Sequence, residues 1–335
     1  MAKEVVLSGI RPTGFLHLGN YFGAMRNYVR MQEDYNCYFF VANWHSLTTH
    51  PDTSELRNSV HRVIAENIAC GLDPEKVALY VQSDVPEIAE LYLYLNTMAY
   101  KGELEKTTTF KEKVRLSPDN VNAGLLTYPV LMAADILIHR AVKVPVGKDQ
   151  EQHLEMARNF AERFNHRYGN VFPSPQAFNF GGELVKILSL DGNGKMSKSE
   201  NQMNTIYLAD DDEQILKKIM KAKTDGGPLT PNSTKTDYIE NLFTLMSQVS
   251  SADTVAKFEA DFNASSEGAC IIRYGDMKKQ LAADMVEFIK PIRSQAADIQ
   301  QNKELLQKII RQGAEKARIS AGATLKLVRD AMGMN

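Results

Sequence analysis

Short apolar runs alternate with segments of helical period along the first half of the chain. Val5 to Ser8 is a short, mostly apolar run of the strand kind, after which Leu18, Tyr21, Phe22, Met25 and Val29 recur at helical spacing. Cys37 to Ala42 is apolar throughout, as a strand buried on both faces should be. Leu56, Val60, Val63, Ile64 and Ile68 give a second helix its inner face, with Thr53 or Ser54 as the expected cap and Gly71 as the stop. Val77 to Gln82 and Val142 to Val146 predict a third and a fourth strand. Strands interleaved with helices predict an α/β chain of Rossmann type, a doubly wound parallel sheet. After residue 200 the period is helical. Asp210 to Glu213 forms an acidic first turn ahead of Ile215, Leu216, Ile219 and Met220. This predicts a catalytic domain over 1–200 and a smaller all-helical domain over 201–335, its last helix packing back on the first domain.

Composition narrows the class. At 335 residues, with 44% hydrophobic and 24% charged positions, the chain is an ordinary globular one with room for two domains. It holds no apolar run of membrane-spanning length, and Met1 to Glu4 leads straight into a strand rather than a signal peptide. The three cysteines, Cys37, Cys70 and Cys270, are scattered, which argues against a disulfide framework and against protein-bound zinc or an iron–sulfur cluster. The expectation is a soluble, cytoplasmic protein with no membrane association. A net charge of −2 announces no nucleic-acid binder. From residue 301 onward, however, seven basic residues stand against three acidic ones, which fits either a solvated helix face or a phosphate track.

In a doubly wound sheet, ligands sit beyond the carboxyl ends of the strands. Gly9 to Asn20 follows the first strand, Asn43, Trp44 and His45 the second, and Gly147, Lys148, Asp149 and Gln150 the fourth. Polar, glycine-containing loops therefore converge on one crevice. Within the apolar run Leu131 to Leu137 lies a single carboxylate, Asp135, which needs a partner if ionised. That partner is either His139, one turn along, or a donor on a buried ligand. Lys195-Met196-Ser197-Lys198-Ser199 follows the turn Asp191-Gly192-Asn193-Gly194, predicted to be exposed and mobile, and its two lysines suit a polyphosphate. His17-Leu18-Gly19-Asn20 opens a helix, where backbone N–H groups favour an anion. Gly19 allows close backbone approach, and Asn20, an amide, can position and stabilise charge but cannot act as an acid. Ile88 to Tyr100 is too apolar all round for a surface helix, so it is either an interface or buried within its own domain.

Taken in order, Ser8-Gly9-Ile10-Arg11-Pro12-Thr13-Gly14, Gly124 to Pro129, Met132 to Leu137, Val144 to Gln150 and the Lys195 to Ser199 string closely resemble the tryptophanyl-tRNA synthetase family of class I aminoacyl-tRNA synthetases. The resemblance spans roughly residues 5 to 200 and resumes at Gly313-Ala314-Glu315-Lys316-Ala317. It implies that Asp135 accepts the indole N–H of tryptophan, with Leu7, Gly9, Met132, Ile136, Val144 and Val146 around the ring. Tyr128, Gln150 and His45 would hold the charged end of the amino acid. Arg11, Pro12, Thr13, His17, Gly19 and Asn20 would bind ATP, together with Gly147, Lys148, Asp149, Ile187 and the loop Lys195, Met196, Ser197, Lys198 and Ser199. Lys195, Lys198, Lys113 and Asn20 would serve catalysis. Arg11 stands where relatives often carry glutamine, and Leu7 where some carry an aromatic residue. The family also implies ATP as substrate with Mg²⁺ riding on its phosphates, no organic cofactor, a cognate tRNA read by the helical domain, and a homodimer. A small-molecule nucleotidyltransferase, a non-catalytic RNA-binding paralogue and a tyrosine-specific synthetase are the other readings of these residues.

Overall fold

The computed structural model describes residues 3–48, 52–147, 150–178, 185–197 and 202–334. Among these, five parallel strands form one sheet in the order β3-β2-β1-β4-β5. They are β1 Val5–Ile10, β2 Asn36–Val41, β3 Ala78–Val81, β4 Lys143–Val144 and β5 Gln176–Ala177. Val6 of β1 lies opposite Cys37 on one side and Lys143 on the other. The chain builds outward from β1 to β3, then returns to the far side of β1 for β4 and β5. A crevice therefore opens between the carboxyl ends of β1 and β4, where the strand order reverses.

The predicted strand Val142 to Val146 contracts to two residues, because Pro145 has no N–H to give the ladder. The edge strand β5 was not predicted; both its residues are exposed, so no apolar pattern marks it.

Helices cover both faces. α1 Leu18–Asn20 runs through a π-turn, Tyr21–Met25, into α2 Arg26–Asp34. α3 Asn43–Leu47, α4 Leu56–Ala69, α5 Glu87–Asn96, α6 Lys101–Leu104, α7 Thr108–Leu116, α8 Ala123–Ile138 and α9 Glu151–Tyr168 follow. Neither Thr53 nor Ser54 caps α4; Glu55 holds that place without a side-chain bond. The apolar stretch Ile88 to Tyr100 is mostly internal. Ile88, Leu91 and Leu95 are fully buried in the core that α8 and α14 share, while Leu93 and Tyr100 stay about 60% exposed.

The helical region comprises α10 Asp212–Met220, α11 Asp237–Val249, α12 Ala252–Ala264, α13 Tyr274–Gln301 and α14 Lys303–Met332. Its acidic start is a capping box between Asp211 and Gln214. Phe288 of α13 stacks on Phe22 at 5.6 Å, seating this region on the π-turn that follows the loop after β1. α14 returns across β3 and α5. At Gly313 it comes so close that an added Cβ would lie 1.8 Å from the Leu79 carbonyl oxygen, so no other residue fits without moving the helix.

The basic surplus of α14 serves this docking in part. Lys316 donates to the carbonyls of Pro74 and Glu75 at 2.7 and 2.8 Å, Arg318 pairs with Glu87, and Arg329 with Glu90. These three hold the helix to the α/β region while Arg318 and Arg329 stay partly solvated.

Candidate active site

Two adjoining cavities, of about 390 and 590 Å³, open in the crevice between β1 and β4. They share Gly9, Arg11, Tyr28, Pro145, Val146, Gly147 and Gln150. The smaller is a narrow apolar chamber walled by Leu7, Phe40, Met132, Ile136 and Val144, with Asp135 among its lining. Sequence spacing made this possible: Met132, Asp135 and Ile136 fall on one face of α8, and Leu7 and Val144 come from adjacent strands.

Asp135 is wholly buried. His45 Nε2 lies 2.9 Å from one of its oxygens, and the Gln82 amide donates to both at 2.8 and 2.9 Å. Gln82 is itself held: its own oxygen accepts the Trp44 backbone N–H at 3.1 Å, which fixes which end of the amide faces the carboxylate. Burial raises the Asp135 pKa above the ordinary carboxylate value, and the His45 and Gln82 contacts oppose that rise. His139 is not its partner. Four residues on, that imidazole meets the Tyr80 hydroxyl at 2.9 Å and Ser320 at 3.2 Å, stacks on Tyr38, and is pulled by burial to a pKa of about 3. His45, expected at the charged end of a ligand, is here engaged with Asp135.

Where the chamber meets the larger cleft, the Tyr128 hydroxyl bonds to His153 Nε2, and His153 Nδ1 lies 3.1 Å from Gln150 Oε1. Lys113 of α7 stands 5.2 Å above the Tyr128 ring. Its pKa is lowered by burial first and by the charge of Arg11 second. Two cations therefore face one opening, and among the described residues neither forms an ion pair. That surplus of positive charge suits an anion.

Arg11, Thr13, His17, Gly19 and Asn20 line one side of the larger cleft, and Lys195, Met196 and Ser197 the other. His17 works as a helix cap: its Nδ1 accepts the Asn20 N–H at 3.3 Å, while Asn20 Oδ1 accepts the His17 N–H at 3.1 Å. The anion-favouring helix start is thus partly satisfied from within. A Cβ on Gly19 would sit 3.1 Å from the Met196 carbonyl oxygen, so the close approach at this glycine is to the lysine-bearing loop. Met196 is buried and donates its N–H to the Ile187 carbonyl at 2.8 Å, which leaves Lys195 pointing from an anchored segment. Asp191 ties the preceding turn by accepting from Asn193 N–H, Asn204 and Ser189.

Two predicted residues line neither cavity: Ile187 is fully buried in the core, and Pro12 is buried beneath its loop. Lys148, Asp149, Lys198 and Ser199 fall outside the described residues. Gln82 and His153 were missed. Their only sequence signal is a polar residue at the end of an all-apolar strand, and a histidine on the buried face of α9. Among the described residues no group of three or more His, Cys, Asp or Glu could hold a metal ion, and no helix is long and apolar enough to cross a membrane.

Residues 2–290 match the family model of class I tRNA synthetases (W and Y). The chain is 59% identical over 331 residues to a tryptophan–tRNA ligase of Porphyromonas gingivalis (strain ATCC BAA-308 / W83), covering 98% of this chain and 99% of that one. Among solved structures it resembles a tryptophanyl-tRNA synthetase from Campylobacter jejuni complexed with ADP and tryptophan. The TM-score is 0.86 at 32% identity, over 98% and 99% of the two chains. A tryptophanyl-tRNA synthetase from Mycoplasma pneumoniae aligns with a TM-score of 0.83 at 32% identity, over 100% and 99%.

Proposed function

The chain belongs to the class I tRNA synthetases of the W and Y group, and from that premise we propose that its joined cavities activate L-tryptophan with ATP and pass it to the 3′ end of the cognate tRNA. One observation carries the reading. A wholly buried, acceptor-only carboxylate lines an apolar chamber that opens into a cation-edged cleft.

The indole ring has one polar group, a donor N–H. Asp135 accepts it, and the Gln82 and His45 donors hold the carboxylate in the orientation to do so. Leu7, Gly9, Met132, Ile136, Val144 and Val146 surround the ring. Tyr128 and Gln150 take the ammonium end, which directs the carboxylate of the amino acid toward the shared mouth.

ATP occupies the larger cleft, held by Arg11, Thr13, His17, Gly19, Asn20 and Gly147, with Lys195, Met196 and Ser197 over it. Pro12, Lys148, Asp149, Ile187, Lys198 and Ser199 enter this reading from the family resemblance alone. The tryptophan carboxylate oxygen attacks the α-phosphorus, the bond from that phosphorus to the α,β-bridging oxygen breaks, and pyrophosphate leaves with that oxygen. Arg11, Lys113 and Lys195 stabilise the negative charge that moves onto the departing group, and no protein proton transfer is required. The terminal ribose hydroxyl of tRNA then attacks the adenylate carbonyl and AMP departs. Mg²⁺ travels with the ATP phosphates, in keeping with its preference for phosphate oxygens and water.

We place the anticodon contact in the helical region over 201–335, and a homodimer and a cytoplasmic location belong to the same reading. Exposed Leu93 and Tyr100 are the part of the apolar stretch left for a partner copy; sedimentation as a monomer at micromolar concentration removes that role.

The activity test is amino-acid-dependent pyrophosphate exchange across a panel, followed by tRNA acylation. Tryptophan alone should support both. Exchange driven equally by tyrosine overturns the substrate, and exchange without acylation overturns the second step.

A further inference from the structure

We propose that His153 is a positioning residue that turns Tyr128 and Gln150 into an acceptor-only site for the α-ammonium group of the amino acid. The inference rests on the reading above, in which those two residues face that group.

The geometry is specific. His153 lies in the first turn of α9, three residues after Gln150, and is 2% exposed. One ring nitrogen, Nε2, bonds to the Tyr128 hydroxyl, and the other, Nδ1, lies 3.1 Å from Gln150 Oε1. A carbonyl oxygen can only accept, so Nδ1 carries the hydrogen. A neutral ring then has a bare Nε2, which can only accept, so the Tyr128 hydroxyl gives its proton to it.

One buried imidazole thus couples two orientations. The Tyr128 hydrogen is committed to His153, and the acceptor capacity of its oxygen is left for Thr109 and for a donor on the ligand. The Gln150 amide is held with its oxygen, not its nitrogen, on the imidazole, and that oxygen keeps a second lone pair. Without His153 the hydroxyl can rotate and the amide can flip, presenting hydrogens to a cation. An acceptor-only pair of neutral oxygens next to Lys113 and Arg11 also explains how an ammonium group binds near two other positive charges. Charge-assisted bonds from that group are the stronger kind.

The test separates the two ends of the ligand. Tryptamine keeps the ammonium and lacks the carboxylate; indole-3-propionate does the reverse. In His153→Leu, tryptamine affinity and the KM for tryptophan should worsen by about 10- to 100-fold, while indole-3-propionate affinity and the KM for ATP stay within about twofold. His153→Asn, with an amide near the Nδ1 position, should recover part of the tryptamine loss and guards against a misfolded leucine variant. Equal losses for the two analogues, or no loss of tryptamine, would overturn the role of His153. Tyr128→Phe and Gln150→Ala serve as references. If neither weakens tryptamine, the ammonium assignment itself falls and takes this inference with it; if both do and His153→Leu does not, only the inference falls.

Discussion

The two halves of the crevice solve opposite electrostatic problems. In the amino-acid chamber a carboxylate is buried completely and its partners, Gln82 and His45, are already in place. In the nucleotide cleft Arg11 and Lys195 stand without a buried counter-charge among the described residues, and Arg11 also borders the chamber beside Lys113, whose pKa burial and the Arg11 charge lower. The first region discriminates because a wrong ligand leaves a desolvated charge short of a donor. The second accelerates because positive charge waits for the negative charge that phosphoryl transfer develops. A selective site must be satisfied in advance except for one bond; a phosphate site can stay unsatisfied until substrate arrives.

The largest effect should come from breaking the satisfied side. Asp135→Ala should lower kcat/KM for tryptophan by about 10⁴-fold while circular dichroism remains native; near-normal pyrophosphate exchange in that variant refutes the assignment. On the other side, Lys195→Ala should lower kcat by about 10²–10³-fold with the KM for tryptophan within about twofold. A tryptophan KM that moves as much as kcat would erase the contrast between the two regions. Gln82→Leu tests whether Asp135 depends on being held. Losing a buried donor to a charged acceptor should raise the tryptophan KM by about 10- to 100-fold without touching the KM for ATP. No change would mean that His45 alone orients the carboxylate.

The smallest effect, a few-fold over one pH unit, lies in the titration of Asp135, whose native pKa is raised. As pH falls through that pKa the acceptor is protonated, so tryptophan binding should weaken, and calorimetric titration reads it. Stability moves the other way. A raised carboxylate pKa means that the folded, ligand-free protein binds this proton more tightly than the unfolded chain does, so its contribution is lost as pH rises through the native value. The Tm difference between Asp135→Asn and the wild type should therefore grow with pH. A constant difference would show that burial of Asp135 carries no such linkage.

Much of this architecture was legible beforehand because it rests on local rules. Short apolar runs located β1, β2 and β3, and a period of 3.6 located the helix after residue 18 and α4. The short loops after β1 and β4 marked the crevice, and a lone carboxylate in an apolar helix marked the chamber. What escaped notice depends on contacts between residues far apart in the chain. His139 lies within helical reach of Asp135, yet Tyr80 and Ser320 claim it, while Asp135 turns to residues 90 and 53 positions away. Ile187 is sealed in the core rather than set in a cavity wall, and three of the seven basic residues after residue 300, Lys316, Arg318 and Arg329, hold α14 to Pro74, Glu75, Glu87 and Glu90.

By itself the sequence determined the element order, the class of the sheet, the loops that deliver chemistry, and the residue types available there, because side-chain period, glycine placement and charge are local properties. Only the tertiary structure decided that Gln82 and His45 hold Asp135, that His153 governs Tyr128 and Gln150, that His17 caps its own helix, and that α14 lies flush on β3 at Gly313. Those outcomes are settled by directional bonds and hard contacts a few ångströms long, and which groups come within that range is known only once the chain has closed on itself.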